Sequence, residues 1–232
     1  MRRGTEGFSV RGNSRCEGVD VGDITPDAIE TYVDMHLATR DAPLAAVEAQ
    51  GAREKWPIVG PAEGTLLHVL TRLVNAKRAL ELGTAIGYST TWIARGLAAG
   101  GELLTVERDP DTAKLAAENL RRTGVADRVR ILIGDAREIV KDLEGPFDLI
   151  FNDIDKEGYP IVLPRCTDLL RVGGVLVTDN VLWSGSVADR RSRDASTTAI
   201  RTYNDRLAAD ARFLSVIVPL RDGVSVAMKV RA

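Results

Sequence analysis

RALELGTAIGYSTTWIARGLAAGGELLTVE, residues 78–107, is the stretch that decides the fold. It opens on a short apolar run, Ala79–Leu82, bends at Gly83 and Gly87, continues with helical spacing, and returns to a second apolar run, Leu103–Glu107. Short apolar runs bounded by turn residues read as buried strands, and a helix between two of them makes the connection a crossover. Crossovers join strands in parallel.

Outward from this unit the alternation repeats. Further strands are expected at Val129–Ile133, Phe147–Asn152, Val175–Thr178, Phe213–Val218 and Val224–Lys229, with helices filling most gaps. The expected fold class is therefore α/β, a doubly wound, Rossmann-like sheet of seven strands, mostly parallel and covered on both faces. Only a short segment containing Asp222 and Gly223 separates the last two strands, so the final strand is expected to run antiparallel.

Toward the N-terminus, Leu66, Leu67, Leu70, Leu73 and Val74 recur with a helical period. The segment KWPIVGPAEG, residues 55–64, reads as a loop, and another helix is expected near Ala42–Ala52. Thr25 as N-cap and Pro26 in the first turn predict a helix start ahead of Ile29, Val33 and Leu37. Residues 1–22 are rich in Arg and Gly without apolar periodicity and are expected to form a flexible arm, leaving 23–232 as one domain.

The balance of 44% hydrophobic and 28% charged residues over 232 positions is that of a globular protein with a real core. Thirty-one basic against 33 acidic residues give a net charge of -2, which recommends neither nucleic acid nor an anionic membrane as the main partner. Cys16 and Cys166 stand far apart without metal-ligand spacing, which argues against zinc or a disulfide scaffold and for a reducing, cytoplasmic setting. No apolar run approaches the ~18 residues of a membrane span.

Open α/β sheets bind ligands at the carboxyl ends of their strands, and three of those ends are unusually polar. In ELGTAIGYS, Glu81–Ser89, the glycines permit a sharp turn close to a ligand, but their spacing is not that of a nicotinamide site. Glu107 ends the second strand, where a carboxylate can accept from both hydroxyls of a ribose. Asp135 and Ala136 in GDA, residues 134–136, suit one polar and one close backbone contact to an adenine ring. Glu81 beside the turn would repel a pyrophosphate yet pair with an ammonium group. An adenosine joined to an amino acid through a sulfonium is S-adenosylmethionine.

At the fourth strand the sequence reads FNDIDKEGY, Phe151–Tyr159, and at the fifth TDNVLW, Thr178–Trp183. Asp153, Asp179 and Asn180 offer three hard oxygen donors, which suit magnesium first, with manganese or calcium as alternatives. Asp179 and Asn180 equally suit a turn or helix cap, and Asp155 reads as either a solvated carboxylate or a ligand contact. Lys156, three residues after Asp153, is placed to act on a hydroxyl bound there.

Taken together, these segments resemble the cation-dependent class I O-methyltransferases, the catechol and caffeoyl-CoA O-methyltransferase family, from about Thr25 to the C-terminus. The resemblance rests on the ELGTxxGYS-like turn, the acidic end of strand two, the GDA-like segment, the D-x-D-K segment and the DN-x-x-W segment. It implies that Val59, Glu81, Gly83, Ser89, Glu107 and Ala136 contact S-adenosylmethionine, with Tyr88 and Asp135 nearby. It further implies that Asp153, Asp179 and Asn180 hold the metal, with Asp153 touching the cofactor too, and that Lys156 is the base. Asn152 departs from the aliphatic residue common in the family, and Tyr203 from a frequent phenylalanine. Trp56 and Trp183 are expected at the substrate pocket, where an aromatic wall or a core-edge role fits each. A homodimer and a phenolic small-molecule substrate follow from the resemblance. A tRNA hydroxyl as acceptor, and a cofactor-binding protein without catalysis, are the rival readings.

Overall fold

The structure is a computed structural model and describes residues 24–232. The arm expected over 1–22, and Cys16 with it, lie outside the described residues. Three helices come first, α1 (Asp27–Met35), α2 (Ala42–Glu54) and α3 (Gly60–Leu73). The alternating part follows: β1 (Arg78–Leu82), α4 (Tyr88–Gly96), β2 (Glu102–Glu107), α5 (Pro110–Arg122), β3 (Val129–Ile133), α6 (Ala136–Asp142) and β4 (Phe147–Asn152). It closes with α7 (Tyr159–Leu169), β5 (Leu170–Thr178), α8 (Ala195–Ala209), β6 (Phe213–Val218) and β7 (Val224–Lys229).

The strands form one sheet in the order β3-β2-β1-β4-β5-β7-β6. Pairings from β3 to β5 are parallel, and β7 runs antiparallel between β5 and β6. The reversal expected at Asp222–Gly223 is there, with Arg221 and Gly223 both at positive φ. The hairpin folds inward, so that the last strand and not the sixth joins β5.

Alternate strand residues serve two cores, because successive side chains point to opposite faces of the sheet. Ala79, Leu103, Leu149 and Phe151 pack on one face with Leu67 and Ile93, whereas Leu80, Val106, Ile150 and Leu176 pack on the other with Tyr159, Val162 and Ile200. Both faces are covered, as the apolar runs predict.

Three local expectations are corrected. Thr25 is not the cap of α1: Pro26 holds that position in an extended conformation, and the Thr25 hydroxyl donates to the carbonyl of Pro219 at 3.1 Å. α1 buries none of its residues, and Leu37 falls beyond its end. The loop at 55–64 is shorter than expected, since α3 already starts at Gly60 with Pro61 in its first turn, where the missing N–H has no helical partner to lose. β5 starts at Leu170, five residues earlier than expected, because Leu170 pairs with Phe147 ahead of a register shift.

In register, Leu82 lies beside Val106 and Asn152, and Asn152 beside Thr178. Gly83, Glu107, Asp153 and Asp179 therefore leave the sheet along one edge. Strand order reverses between β1 and β4, the crevice where such sheets take ligands.

Candidate active site

A cavity of about 740 Å³ opens at this edge. Val59, Gly83, Tyr88, Ser89, Glu107, Asp135, Ala136, Asp153, Lys156, Asp179, Asn180, Trp56 and Trp183 all line it. Of the candidate site residues read from the sequence, Glu81 alone does not. It is fully buried, and its Oε2 accepts from the hydroxyls of Thr90 and Thr105, each at 2.6 Å. Burial pushes its carboxyl up to about 7, opposed by the hydroxyls of Ser89, Thr105 and Thr90. Its Oε1 has no hydrogen-bond partner, and its neighbour Ser89 lines the cavity.

Gly83 must be glycine. It sits at φ +100°, and a Cβ there would lie 2.3 Å from the carbonyl oxygen of Asp153. The turn after β1 thus packs main chain to main chain against the loop after β4. Gly87, at φ 84°, caps α4 in the left-handed conformation and lets the chain turn from cavity to helix.

At one end of the cavity, Glu107 is held open by backbone amides: Oε2 accepts from Ala85 N at 2.9 Å and Oε1 from Asp109 N at 3.0 Å. Each carboxylate oxygen keeps a lone pair for a ligand hydroxyl. Asp135 caps α6 and is forked by Arg137, whose guanidinium holds its carboxyl down at about 2. Its charge is largely used within the protein, which leaves Ala136 and Gly134 as the close approach for a flat ring. Tyr88, almost fully buried, donates from its hydroxyl to Glu48 Oε2 at 3.0 Å. Asp155 is exposed and paired with Arg108 at 2.8 Å, which favours the solvated reading of that carboxylate.

The other end gathers the oxygen donors. Lys156 Nζ donates to Asp153 Oδ1 at 3.0 Å, to Asn180 Oδ1 at 2.6 Å and to the Tyr159 hydroxyl at 2.7 Å. Tyr159 donates in turn to the carbonyl of Asp179 at 2.9 Å. Asn180 occupies the left-handed region at φ 54°, which asparagine tolerates, and its amide donates to Asp179 Oδ1 at 2.5 Å. Asp179 is 4% exposed, and burial together with the neighbouring Asp153 pushes its carboxyl up to about 7, against the pull of Lys156. The Trp183 ring centroid lies 5.8 Å from Lys156 Nζ.

Two carboxylates and a carboxamide are a hard oxygen set suited to magnesium, manganese or calcium. They already grip a cation, since the ammonium of Lys156 stands in for one between Asp153 and Asn180. Among the described residues no cluster of three His, Cys, Asp or Glu side chains has the arrangement of a metal site, so a cation held here would need the carboxamide as a ligand.

Sequence reasoning missed Glu63, Arg221 and Tyr159. Glu63 is fully buried in α3, in phase with Leu67 and Thr71, and a carboxylate on a buried helical stripe was the available signal. Arg221 lines the cavity and donates to the carbonyl of Val59. No local pattern marks it.

Comparison with known proteins agrees with this geometry. The family model described as O-methyltransferase matches residues 38–230. A catechol O-methyltransferase of Niastella koreensis is 36% identical over 213 residues, spanning 87% of this chain and 96% of that protein. A catechol O-methyltransferase of Mycobacterium tuberculosis is 38% identical over 187 residues, 79% of this chain and 84% of that one. Among solved structures, an O-methyltransferase from Bacillus cereus in complex with SAH superposes with a TM-score of 0.80 at 33% identity, covering 87% of this chain and 97% of that one.

Proposed function

The chain belongs to the O-methyltransferase family and is S-adenosylmethionine-dependent, and from that premise we propose that it methylates one hydroxyl of a vicinal aromatic pair beside a divalent cation. One observation carries the reading: in a single cavity, Lys156 is gripped by Asp153 and Asn180 at 3.0 and 2.6 Å while Glu107 presents free lone pairs at the other end. The catechol O-methyltransferases among its relatives support the acceptor class.

S-adenosylmethionine supplies an electrophilic methyl carbon on a sulfonium. Glu107 binds its ribose, Ala136 borders the adenine, and Ser89, backed by Glu81, faces the amino-acid end. Asp153, Asp179 and Asn180 would hold the cation, which supplies charge stabilisation to a phenol whose ordinary pKa of about 10 leaves it protonated at neutral pH. Lys156 Nζ, as the neutral amine that a cation seated among Asp153, Asp179 and Asn180 would favour, is the group placed to take the hydroxyl proton. Trp56 and Trp183 wall the acceptor, and holding the reacting atoms within ~3–3.5 Å removes much of the barrier.

The reading includes association of two copies, supported by the edge strand β6, whose Leu214 and Val216 are 66% and 58% exposed. Light scattering of the purified chain tests it, and a monomer at micromolar concentration rejects it.

The deciding assay is methyl transfer from S-adenosylmethionine to a catechol, with and without chelator. Activity lost to chelator and restored by Mg²⁺ is expected. Chelator-insensitive transfer removes the cation from the reading.

A further inference from the structure

Glu63 is a fully buried carboxylic acid that the scheme above leaves without a task. It is 0% exposed on α3, between the apolar residues that dock this helix on the sheet, and its Oε1 has no hydrogen-bond partner. A leucine or methionine would fill the same place without the cost of burying a poorly partnered polar group. Packing therefore does not explain it.

Its surroundings do. The carboxyl of Glu63 neighbours that of Asp179, and the two can share a hydrogen bond when one of them carries a proton. Its Oε2 is 3.5 Å from an Nη of Arg221, and the same nitrogen donates to the carbonyl of Val59 at the start of α3. Asp179 has one carboxylate oxygen fixed by the amide of Asn180 at 2.5 Å, and its second oxygen has no such tether. Val59 and Arg221 line the cavity, whereas Glu63 does not.

We propose that Glu63 is a positioning residue: it fixes the free oxygen of Asp179 toward the cation seat and, through Arg221, ties that seat to Val59 beside the cofactor. The inference rests on the cation reading above. Groups behind a metal ligand typically govern affinity by about 10–100-fold, because they set the ligand's orientation. Glutamine keeps the shape of Glu63, can donate to Asp179 and can accept from Arg221. Leucine keeps only the volume.

The test is Mn²⁺ binding to the full chain, read by the electron paramagnetic resonance of free Mn²⁺, for wild type, Glu63→Leu, Glu63→Gln, Arg221→Met and Asp179→Ala. Glu63→Leu is expected to weaken Mn²⁺ about tenfold or more at an undiminished melting temperature, with Glu63→Gln within about threefold of wild type. Arg221→Met is expected to weaken both Mn²⁺ and, by calorimetry, S-adenosylmethionine. Unchanged Mn²⁺ affinity in Glu63→Leu, or equal loss in Glu63→Gln, overturns the positioning role. If Asp179→Ala and wild type alike show no saturable Mn²⁺ binding, the cation reading itself is wrong and this inference falls with it.

Discussion

The ammonium of Lys156 stands 2.6 Å from the carboxamide oxygen of Asn180, although 24 residues, with one α-helix and one strand among them, separate the two. That contact joins the loops after β4 and β5 across the mouth of the sheet. With Asp153 at 3.0 Å, it makes the lysine the internal counter-charge of the donor set.

Lys156→Met should therefore act twice. Without the ammonium, the Asp153 carboxylate loses its counter-charge and the Asn180 carboxamide oxygen its donor, so the chelated protein should melt at a lower temperature than wild type, and Mg²⁺ should narrow the difference. Loss of the proton acceptor should also lower kcat by about 10²–10⁴-fold, the usual range for a general base. A kcat within threefold of wild type, measured with a catechol, would remove Lys156 from the chemistry.

Glu107→Ala should weaken S-adenosylmethionine about 10–100-fold, since hydrogen bonds to a charged acceptor contribute about 1.5–3 kcal/mol. The two amides that orient Glu107 should then be left to water, with little change in Mn²⁺ binding. Calorimetry giving wild-type affinity would exclude the ribose contact.

Asn152→Val should stabilise the protein. Both polar atoms of the Asn152 side chain are buried without partners at the end of β4, and each such orphan costs about 1–3 kcal/mol. Valine suits a central strand and meets Leu80, Leu82 and Ile150 on the same apolar face. A rise in melting temperature of roughly 2–4 °C per kcal/mol is expected for a chain of this size. A lower value would mean that Asn152 has a partner in solution.

Glu81 gives a pH prediction with a definite sign. Burial raises its carboxyl from 4.5 to about 7 in the folded chain, so the folded state binds this proton more tightly than the unfolded state does. The stability that this group contributes is full below pH 4.5 and is lost as pH rises through about 7. The melting temperature of wild type should fall relative to that of Glu81→Gln between pH 5 and pH 8. Parallel profiles for the two proteins would show that Glu81 is ionised throughout.

The sheet was legible because each strand is a local pattern, a short apolar run closed by Gly, Pro or a polar residue. The convergence of these polar residues was legible for the same reason: Asp153 and Asp179 follow their strands directly, Asn180 comes next, and parallel register carries strand ends to a common edge. What was not legible depends on contacts remote in sequence. Arg221 reaches Val59 across 162 residues, and Glu63 meets Asp179 only once α3 is docked. The placement of β7 inside β6 is likewise a matter of tertiary packing, since the turn at Asp222–Gly223 fixes reversal and not which strand lies innermost. At Gly60 and Pro61 two residues that usually interrupt structure begin a helix, because proline is favoured in a first turn as well as in loops.

The contact between Gly83 and the carbonyl of Asp153 leaves less room than one methyl group requires. On the proposed reading, the station for the methyl donor and the station for its recipient are thus aligned by polypeptide backbone, independent of any side chain that evolution might exchange. Residues around the rim can be retooled for a new recipient without disturbing that alignment, whereas a single added carbon at Gly83 would wedge the two stations apart together.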